Sequence, residues 1–389
     1  MGTVRFGIVG MGNMGLSHAQ YLITGEIKGA VLTAICDQIP EQVERAASVL
    51  GGELKRFTSA DELFASGEID AVLIATPHYD HPDLAIRALK QGLHVLIEKP
   101  AGVYTKQVRL MNEAAAASDR KFGIMYNQRT NPMYMKLREL IASGELGEIK
   151  RFSWIITDWY RSQAYYDSGT WRATWAFEGG GVLINQCPHN LDLLPWTLGM
   201  MPQRIRGFCH YGKHRQIEVE DDVTAYMEFA NGATGVFITS VADSPGTNRY
   251  EVTGDNGKIV IEHGKMTFWR NRVPESEFNR TNQKVFGRPE VWECEIPVAA
   301  GIGPQHRGIT QNFVNAILHD EPLIAPGEEG INGLSISNAI HLSSWLNDWV
   351  ELPVDEELFL KHLQERIEVS RTKKKANVRQ QTVGIDGSF

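Results

Sequence analysis

The chain has 389 residues, of which 42% are hydrophobic and 22% charged, so it carries enough apolar material for a folded core of two or three domains. Acidic residues outnumber basic ones by 47 to 39, which argues against a general nucleic-acid-binding protein. No apolar run approaches the roughly 18 residues of a membrane span, and no signal peptide precedes the first apolar run. The four cysteines lack C-x-x-C spacing, so a cytoplasmic location is expected.

The first part of the chain alternates short apolar runs with stretches of helical pattern. We predict strands over Val4–Val9, Ala30–Asp37, Ala71–Ala75, His94–Ile97 and Phe122–Tyr126, and helices over Gly15–Ile23, Pro40–Leu50, Pro82–Gln91 and Thr105–Ser118. Strands that alternate with helices indicate βαβ units and a parallel sheet. Right-handed crossovers then give a doubly wound domain, predicted over residues 1–126.

After residue 147 the pattern changes to runs of β-branched and aromatic residues. We predict strands over Ile149–Thr157, Arg204–Tyr211, Val223–Phe229, Thr234–Val241, Tyr250–Thr253 and Lys258–Glu262, followed by helices over His306–His319 and Glu328–Val350. Asn231-Gly232 and Asn256-Gly257 are typical of two-residue hairpin turns. This predicts a second α/β domain over residues 127–365, with one large, open, mostly antiparallel sheet. Its helices within 306–350 are candidates for packing on the first domain.

The remaining residues, 366–389, are predicted to be a basic tail. Five bases lie within nine residues of it, namely Arg371, Lys373, Lys374, Lys375 and Arg379. A solvated terminus is the favoured interpretation, over an anion-binding or subunit-clasping arm.

A glycine-rich turn follows the first predicted strand and opens the first helix. It consists of Gly10, Met11, Gly12, Asn13, Met14 and Gly15. In this strand–turn–helix context a G-x-G-x-x-G sequence predicts a dinucleotide site, with the pyrophosphate at the helix N-terminus. Asp37 ends the second strand, where a carboxylate binds the ribose diol and repels a 2′-phosphate. Because Gln38 and Ile39 offer no arginine for such a phosphate, we predict NAD rather than NADP as the cofactor.

Two further stretches follow predicted strands, at the carboxyl edge where open α/β sheets bind ligands. The first contains Thr76, Pro77, His78 and His81, and the second is Glu98-Lys99-Pro100. His78 and His81 are spaced as metal ligands could be, but no distant third motif completes a zinc site. We therefore expect them to contact the cofactor and predict no metal.

Taken together, these motifs resemble the Gfo/Idh/MocA family of oxidoreductases. The resemblance covers nearly the whole chain and rests on the opening glycine turn, Thr76-Pro77, Glu98-Lys99-Pro100, Gly179-Gly180-Gly181 leading to His189, Gln305-His306 with Asn312-Phe313, and the closing stretch 324–330. It implies a Rossmann domain followed by an α/β domain with a large open sheet. It also implies oxidation of a sugar or cyclitol hydroxyl with a nicotinamide cofactor, in a homodimer or homotetramer.

The same resemblance implies roles for individual residues. Lys99 would lie between the nicotinamide and the reacting hydroxyl, and His189 would be the general base. Many family members carry an aspartate four residues before this histidine, where this chain has Asn185, an amide that can bind substrate but cannot hold a charge. We therefore predict Lys99 and His189 as the acid–base pair. Glu98 and Asn127 are expected among the cofactor-binding residues.

An aromatic and basic stretch between these motifs is expected to bind the sugar ring. Its predicted substrate-binding residues are Tyr160, Arg161, Trp171 and Arg172, to which we add His306 and Asn185. Tyr165 and Tyr166 could belong either to the site or to the core. Asp192, three residues after His189, could support that ring or face solvent or another helix.

With Asn185 in place of the aspartate, the motif resembles family branches that act on glucosides or anhydrosugars, and this resemblance implies a sugar or glycoside, oxidised at C3, as the substrate. An inositol 2-dehydrogenase is the first alternative. A glycosidase that uses bound NAD in a redox cycle and a non-catalytic NAD-bound sensor are the others.

Overall fold

The computed structural model describes residues 2–169 and 171–370. The bases of the predicted tail, from Arg371 onward, therefore lie outside the described residues. Within the described residues the chain forms a six-stranded parallel sheet and a nine-stranded mixed sheet, each covered by helices, which confirms the predicted fold class. The boundaries predicted after residues 126 and 365 stay predictions.

The first sheet is parallel throughout, with strand order β3-β2-β1-β4-β5-β6. Its strands are β1 (Val4–Val9), β2 (Ala30–Cys36), β3 (Lys55–Phe57), β4 (Ala71–Ile74), β5 (His94–Ile97) and β6 (Phe122–Ile124). The helices around it are α1 (Asn13–Ile23), α2 (Pro40–Leu50), α3 (Ala60–Ala65), α4 (Asp80–Lys90) and α5 (Thr105–Ala116). The sequence analysis missed β3 and α3 because both are short and β3 begins with two exposed bases.

The second sheet has the order β14-β13-β12-β11-β7-β10-β9-β8-β15 and is antiparallel except between β7 and β10. Its strands are β7 (Ile149–Ile156), β8 (Arg204–Tyr211), β9 (Glu220–Glu228), β10 (Thr234–Ser240), β11 (Asn248–Gly254), β12 (Gly257–Glu262), β13 (Lys265–Asn271), β14 (Val291–Glu295) and β15 (Val350–Glu351). A single large open sheet is therefore present, as predicted.

The two predicted hairpin turns differ in register from the expectation. Gly254 pairs with Gly257, so residues 255 and 256 form the second turn and Gly257 already belongs to β12. A Cβ on Gly257 would lie 2.1 Å from the carbonyl oxygen of Trp269, and its φ is +135°, so both the close strand approach and the local backbone conformation require this glycine. The first turn has three residues, 230–232, closed by a hydrogen bond from the Phe229 amide to the Ala233 carbonyl.

The helices of the second half divide between the two cores. They are α6 (Pro132–Ala142), α7 (Gln163–Asp167), α8 (Pro188–Leu198), α9 (Glu275–Thr281), α10 (Gln305–His319), α11 (Gly330–Leu346) and α12 (Glu356–Glu368). α10 places Phe313 against Phe6 of the first sheet, with ring centroids 6.3 Å apart, whereas α11 buries Ile336 and Ile340 with the second sheet. α12 continues to Glu368, three residues beyond the predicted domain boundary.

A buried ion cluster fixes the helix that carries His189. The Arg129 guanidinium donates to both carboxylate oxygens of Asp192 at 2.9 and 2.6 Å, and to Glu329 at 2.5 Å. Arg129 and Asp192 are both buried, so loss of one partner would leave an uncompensated charge in the interior. Asp192 therefore anchors α8 to the segment after β6 and does not face solvent.

Candidate active site

The glycine turn forms an open cradle at the N-terminus of α1. Gly10 has φ +93°, and a Cβ on Gly15 would lie 1.8 Å from the Gly10 carbonyl oxygen, so both positions require glycine. A Cβ on Gly12 would meet nothing within 4 Å. The first turn of α1, which includes Asn13 and Met14, contains no acidic residue. The helix end therefore offers a positive dipole end to an anion, as a pyrophosphate requires.

Asp37 lies at the end of β2 beside this cradle. Its carboxylate accepts hydrogen bonds from the Met11 amide at 2.8 Å and the Ile39 amide at 3.0 Å. Each carboxylate oxygen keeps a lone pair, so the half-buried group can still accept from a ribose diol. Arg45, which the sequence analysis did not consider, reaches over from α2 and donates to the Met11 carbonyl at 3.3 Å.

The segment after β4 lines the neighbouring part of the edge. Thr76 is half-buried and its hydroxyl oxygen has no partner among the described residues, whereas Pro77 is exposed. The buried His78 ring contacts the carbonyl of Glu178 at 3.0 Å and lies 5.6 Å from the Trp171 ring. Burial, with the charges of His81, Lys99 and Arg172, lowers the pKa of His78 to about 3, so the ring is neutral.

His81 lies deeper than the sequence analysis expected. It is completely buried, and its ring nitrogens lie 2.8 Å from the carbonyl oxygens of Pro100 and Thr76. With no exposed surface it cannot contact a cofactor directly. It ties together the ends of β4 and β5 instead.

Glu98 links the glycine-turn helix to the segment that carries Lys99. Its carboxylate lies 2.7 Å from Nε2 of His18 on α1 and also accepts the Lys99 amide at 3.1 Å. Burial alone would raise the pKa of Glu98, but the His18 hydrogen bond and the charges of His18, His306 and Lys99 lower it to about 2. Glu98 is therefore an ionised structural link, and its 5% exposure leaves little surface for cofactor contact.

Lys99 projects from the end of β5 toward the segment before α8. Its Nζ donates to the backbone carbonyl of Asn185 at 3.1 Å. Burial, together with the charges of Arg172 and Arg161, lowers the pKa of Lys99, while Glu98 and Glu178 oppose the shift. A half-buried lysine with a lowered pKa can both donate and accept a proton, as an acid–base residue requires.

His189 occupies the first turn of α8, close to Lys99 and His306. The ring is buried, its Nδ1 has no partner among the described residues, and the Tyr126 ring lies 6.3 Å away. Burial and the charges of Lys99 and His306 hold the pKa of His189 well below its usual range. The imidazole is thus neutral and can accept a proton.

Two further predicted residues line the back of this cluster. His306 is buried with its ring 5.5 Å from His18, and burial lowers the pKa of His306 to about 4. Asn127 is completely buried and donates to Gln305 Oε1 at 2.6 Å, while its own Oδ1 has no partner among the described residues. Asn127 is therefore not accessible to a cofactor in this arrangement.

The predicted ring-binding stretch is held together by cation–π contacts. The Arg172 guanidinium lies 4.9 Å from the Trp171 ring centroid and 4.5 Å from that of Tyr165, and Arg161 lies 5.2 Å from Tyr165. Arg172 also donates to the Tyr165 hydroxyl at 2.6 Å. The Trp171 ring lies 5.6 Å from the His78 ring, so this part of the stretch adjoins the polar residues at the sheet edge.

The two tyrosines left open in the sequence analysis, and Tyr160, have different surroundings. Tyr166 is buried in the core of the second half, whereas Tyr165 is half-buried between the arginines. Tyr160 is 49% exposed, and the Arg215 guanidinium lies 5.2 Å from its ring centroid, so this cation–π contact is with the segment before β9.

Comparison with known proteins places this arrangement in a family. Residues 4–126 match the oxidoreductase family with an NAD-binding Rossmann fold, and residues 134–260 match the GFO/IDH/MocA C-terminal domain. The chain belongs to the Gfo/Idh/MocA oxidoreductase family. It is thus an NAD-binding oxidoreductase, as the sequence motifs predict.

Among curated Gfo/Idh/MocA relatives, the inositol 2-dehydrogenase of Rhizobium meliloti strain 1021 is 28% identical over 265 residues, covering 67% of this chain and 76% of that protein. The levoglucosan dehydrogenase of Pseudarthrobacter phenanthrenivorans is 24% identical and covers 91% of this chain and 99% of that protein. The solved structure of the WlbA dehydrogenase from Bordetella pertussis with NADH and UDP-GlcNAcA is also similar. Its identity is 25% and its TM-score 0.76, with 91% of this chain and 100% of that chain covered.

The residues of this chain fit the NAD of the family. The open space at Gly12, the absence of an acidic residue in the first turn of α1 and the carboxylate of Asp37 suit a pyrophosphate and a ribose diol. The unpartnered hydroxyl of Thr76 is a further polar group at the same edge. Among residues 2–169 and 171–370, no group of three or more His, Cys, Asp or Glu is arranged to hold a metal ion.

The sequence analysis missed one carboxylate of the site. Glu178 is buried, and its carboxylate accepts hydrogen bonds from the Asn185 side-chain amide and from the Ala173 backbone amide. Its position immediately before Gly179-Gly180-Gly181 was the available signal. A Cβ on Gly179 would lie 2.4 Å from Val103, so this close approach of the backbone draws Glu178 into the cluster.

Within the part of the chain that the structure describes, no helix combines the length and the apolar character needed to cross a membrane.

Proposed function

We propose that the protein oxidises a secondary hydroxyl of a sugar or glycoside, at C3 of a pyranose ring, with Lys99 and His189 as the acid–base pair. The observation that carries the proposal is the juxtaposition of two titratable groups at the carboxyl edge of the first sheet. One is the half-buried ammonium of Lys99, bonded to the Asn185 carbonyl, and the other is the buried imidazole of His189. The Lys99 ammonium bonds to the carbonyl of Asn185, four residues before His189, and its charge acts on the imidazole.

The chain's own residues handle the proton of the reacting hydroxyl. NAD, when bound, supplies the hydride acceptor. His189 accepts the hydroxyl proton because its lowered pKa keeps it neutral, and the Lys99 ammonium stabilises the alkoxide character that develops on the oxygen. We assign Asn185 the role of binding a substrate hydroxyl through its side-chain Oδ1, since its amide nitrogen donates to Glu178.

The preference for a pyranose ring over a cyclitol rests on the aromatic side chains of the predicted ring-binding stretch. This stretch holds Trp171 and Tyr165 beside Arg172, and aromatic faces stack on the apolar faces of pyranose rings while guanidinium groups bind their hydroxyls.

We also propose that the protein forms a homodimer or homotetramer through the open face of the second sheet. β8 carries Phe208 on this face with 48% of its surface exposed, beside Arg206 at 4.8 Å from the ring centroid. An exposed aromatic residue on a long sheet is suited to contact with a second copy. Sedimentation of the wild type and of Phe208→Glu tests this assignment.

The activity is tested by the growth of NADH absorbance when NAD and a panel of sugars, glycosides, anhydrosugars and inositols are added. We expect turnover with a pyranoside and oxidation at C3 in the product. Lys99→Ala and His189→Ala should each lower kcat by about 10²–10⁴-fold with an unchanged Kd for NAD, since general acid–base catalysis contributes this much. Lys106→Ala, which removes a lysine paired with the exposed Glu357, is the matched control.

Three results would contradict the proposal. Full kcat in His189→Ala or Lys99→Ala would remove the acid–base assignment. Turnover of inositols alone would make the protein an inositol 2-dehydrogenase. If no compound of the panel gives NADH and NAD is retained in the purified protein, the redox-cycling glycosidase or the sensor would be favoured.

A further inference from the structure

Two carboxylates, those of Glu98 and Glu178, supply negative charge to the Lys99 ammonium. Glu98 is adjacent in sequence, but its carboxylate is occupied by His18 and by the Lys99 amide. Position 185, whose carbonyl accepts from the Lys99 ammonium, carries an amide side chain that cannot hold a charge. The other carboxylate whose charge raises the pKa of Lys99 is that of Glu178.

Glu178 reaches this position through a strained piece of backbone. One carboxylate oxygen accepts from the side chain of Asn185 and the other from the backbone amide of Ala173. Ala173 is buried and has φ 56°, in the left-handed region that a non-glycine residue rarely adopts. Strain of this kind persists where surrounding contacts hold it, and it concentrates at functional sites.

We propose that Glu178 is a positioning residue for the reaction: ionised, it orients the Asn185 side chain toward the substrate and supplies the negative charge that Lys99 lacks at position 185. This inference rests on the proposed function and extends it. With its Nδ2 held by Glu178, Asn185 has its Oδ1 left to accept a hydrogen bond from the substrate. The negative charge that an aspartate at position 185 would carry is therefore carried by Glu178, which is one hydrogen bond away from the Asn185 side chain.

The charge state of Glu178 depends on pH in the neutral range. Burial raises the pKa of Glu178 to about 7, against the hydrogen bonds from Ala173 and Asn185 and the charge of Arg172, and Glu220 adds to the rise. The other titratable groups whose charges couple to it are Lys99 and Tyr166. Below this range the protonated carboxyl of Glu178 is a weaker, uncharged acceptor for the Asn185 amide and no longer supplies a negative charge to Lys99, so activity should rise with pH through about 7.

The first experiment removes the charge and then relocates it. Glu178→Gln should lower kcat by about 10²-fold, the cost of a misplaced binding group, and should abolish the rising limb of the pH–kcat profile near pH 7. NAD affinity should stay unchanged. The double variant Glu178→Gln/Asn185→Asp, which returns a carboxylate to position 185, should recover at least about tenfold of the loss and place the limb at lower pH.

A matched buried carboxylate separates positioning from a general structural effect. Glu220 accepts the Gly181 amide at 2.9 Å and the Leu183 amide at 3.0 Å and is equally buried. Glu220→Gln should lower the Tm and keep the rising limb of the pH–kcat profile, moved only slightly to lower pH because the charge of Glu220 adds to the raised pKa of Glu178. If Glu178→Gln keeps the limb, or if the double variant recovers nothing, the positioning role is wrong.

A second readout does not need turnover. In cofactor-free protein labelled with ¹³C at glutamate carboxyls, one resonance should titrate near pH 7, and it should be absent in Glu178→Gln. In Asn185→Asp it should move to higher pH because a second negative charge adjoins it. Titration below about pH 5, or no shift in Asn185→Asp, would overturn the inference. An inactive wild type with the expected titration would instead count against the proposed function alone.

Discussion

The glycine turn at α1 and the polar cluster around Lys99 lie at the same edge of one sheet, but they are built from different parts of the chain's chemistry. The turn is made of backbone groups from consecutive residues, and its requirements are for space, as at Gly15 and Gly12. The cluster is made of side chains far apart in sequence, such as Glu98 with His18 and Lys99 with Asn185. We call the glycine turn the backbone-built half of the site and the cluster around Lys99 its side-chain-built half. Cofactor binding by the backbone-built half should therefore be sensitive to added side-chain volume, whereas activity and stability that depend on the side-chain-built half should vary with pH.

Within the cluster, two buried glutamates show why partners matter more than burial. Glu98 and Glu178 are each at most 5% exposed, yet the pKa of Glu98 is lowered to about 2 and that of Glu178 is raised to about 7. Glu98 is hydrogen-bonded to His18, whereas the hydrogen bonds to Glu178 come from uncharged amides. The hydrogen bond from His18 and the charges around Glu98 together outweigh its desolvation, whereas the amide donors to Glu178 do not outweigh desolvation there.

The largest expected effect follows from this contrast. Because the pKa of Glu98 is lower in the folded state than in the unfolded chain, where it is about 4.5, its carboxylate stabilises the fold at pH values above about 4.5. This stabilisation is lost as the pH falls toward 2. A lowering of the pKa by this amount corresponds to at most about 3 kcal/mol of folding free energy. We expect Glu98→Gln to lower the Tm by several degrees, by the same amount at about pH 5 and pH 8.

Glu178→Gln is the comparison for that measurement. Its raised pKa means that the carboxylate of Glu178 costs stability as pH rises from about 4.5 through 7. The Tm of Glu178→Gln relative to the wild type should therefore increase between about pH 5 and pH 8. Calorimetry of both variants at the two pH values checks this, and parallel behaviour of the two would contradict the contrast between the glutamates.

How much the sequence could predict follows the same division. Strands such as Val4–Val9 and His94–Ile97 are predicted to the residue because their apolar runs are continuous and bounded by turn signals. The Gfo/Idh/MocA motifs are contiguous as well, so Lys99 and the glycine turn are readable without a structure. A site built from the backbone of consecutive residues can be predicted from the local sequence.

The side-chain partners could not be predicted in this way. His18 and Glu98 are 80 residues apart, and nothing local to either shows that they meet. The partner of Asp192 likewise depends on how α8 packs against the segment after β6. Glu178 adjoins a predicted motif, but its entry into the cluster depends on the approach of Gly179 to Val103. These contacts are consequences of tertiary packing, which periodicity does not encode.

Adding a single methyl group at Gly12 tests whether the open space in the glycine turn receives the cofactor. A Cβ at Gly12 would meet nothing within 4 Å in the protein, so Gly12→Ala should change the Tm by at most about 2–4 °C. If this space receives the pyrophosphate, the Kd for NAD should rise by about 10–100-fold, equally at pH 6 and pH 8. Titration calorimetry measures the Kd, and scanning calorimetry the Tm. Gly2→Ala, whose Cβ would make an ordinary 3.6 Å contact with Leu318, is the control, and unchanged NAD affinity in Gly12→Ala would locate the cofactor elsewhere.

The smallest expected effect concerns the choice between NAD and NADP at Asp37, where a side chain takes part in the backbone-built half. Its two oxygens accept the Met11 and Ile39 amides, and an asparagine at this position would keep one such acceptor while losing the charge that repels a 2′-phosphate. We expect Asp37→Asn to lower the ratio of kcat/KM for NAD over NADP by about tenfold, which is about 1.4 kcal/mol. The exposed Glu41 in the first turn of α2 provides the control, since Glu41→Gln removes a nearby charge that makes no bond to the glycine turn. An equal change in both variants would mean that general electrostatics, with Arg45 reaching Met11 from the same helix, sets the preference, and that the Asp37 carboxylate has no specific part in it.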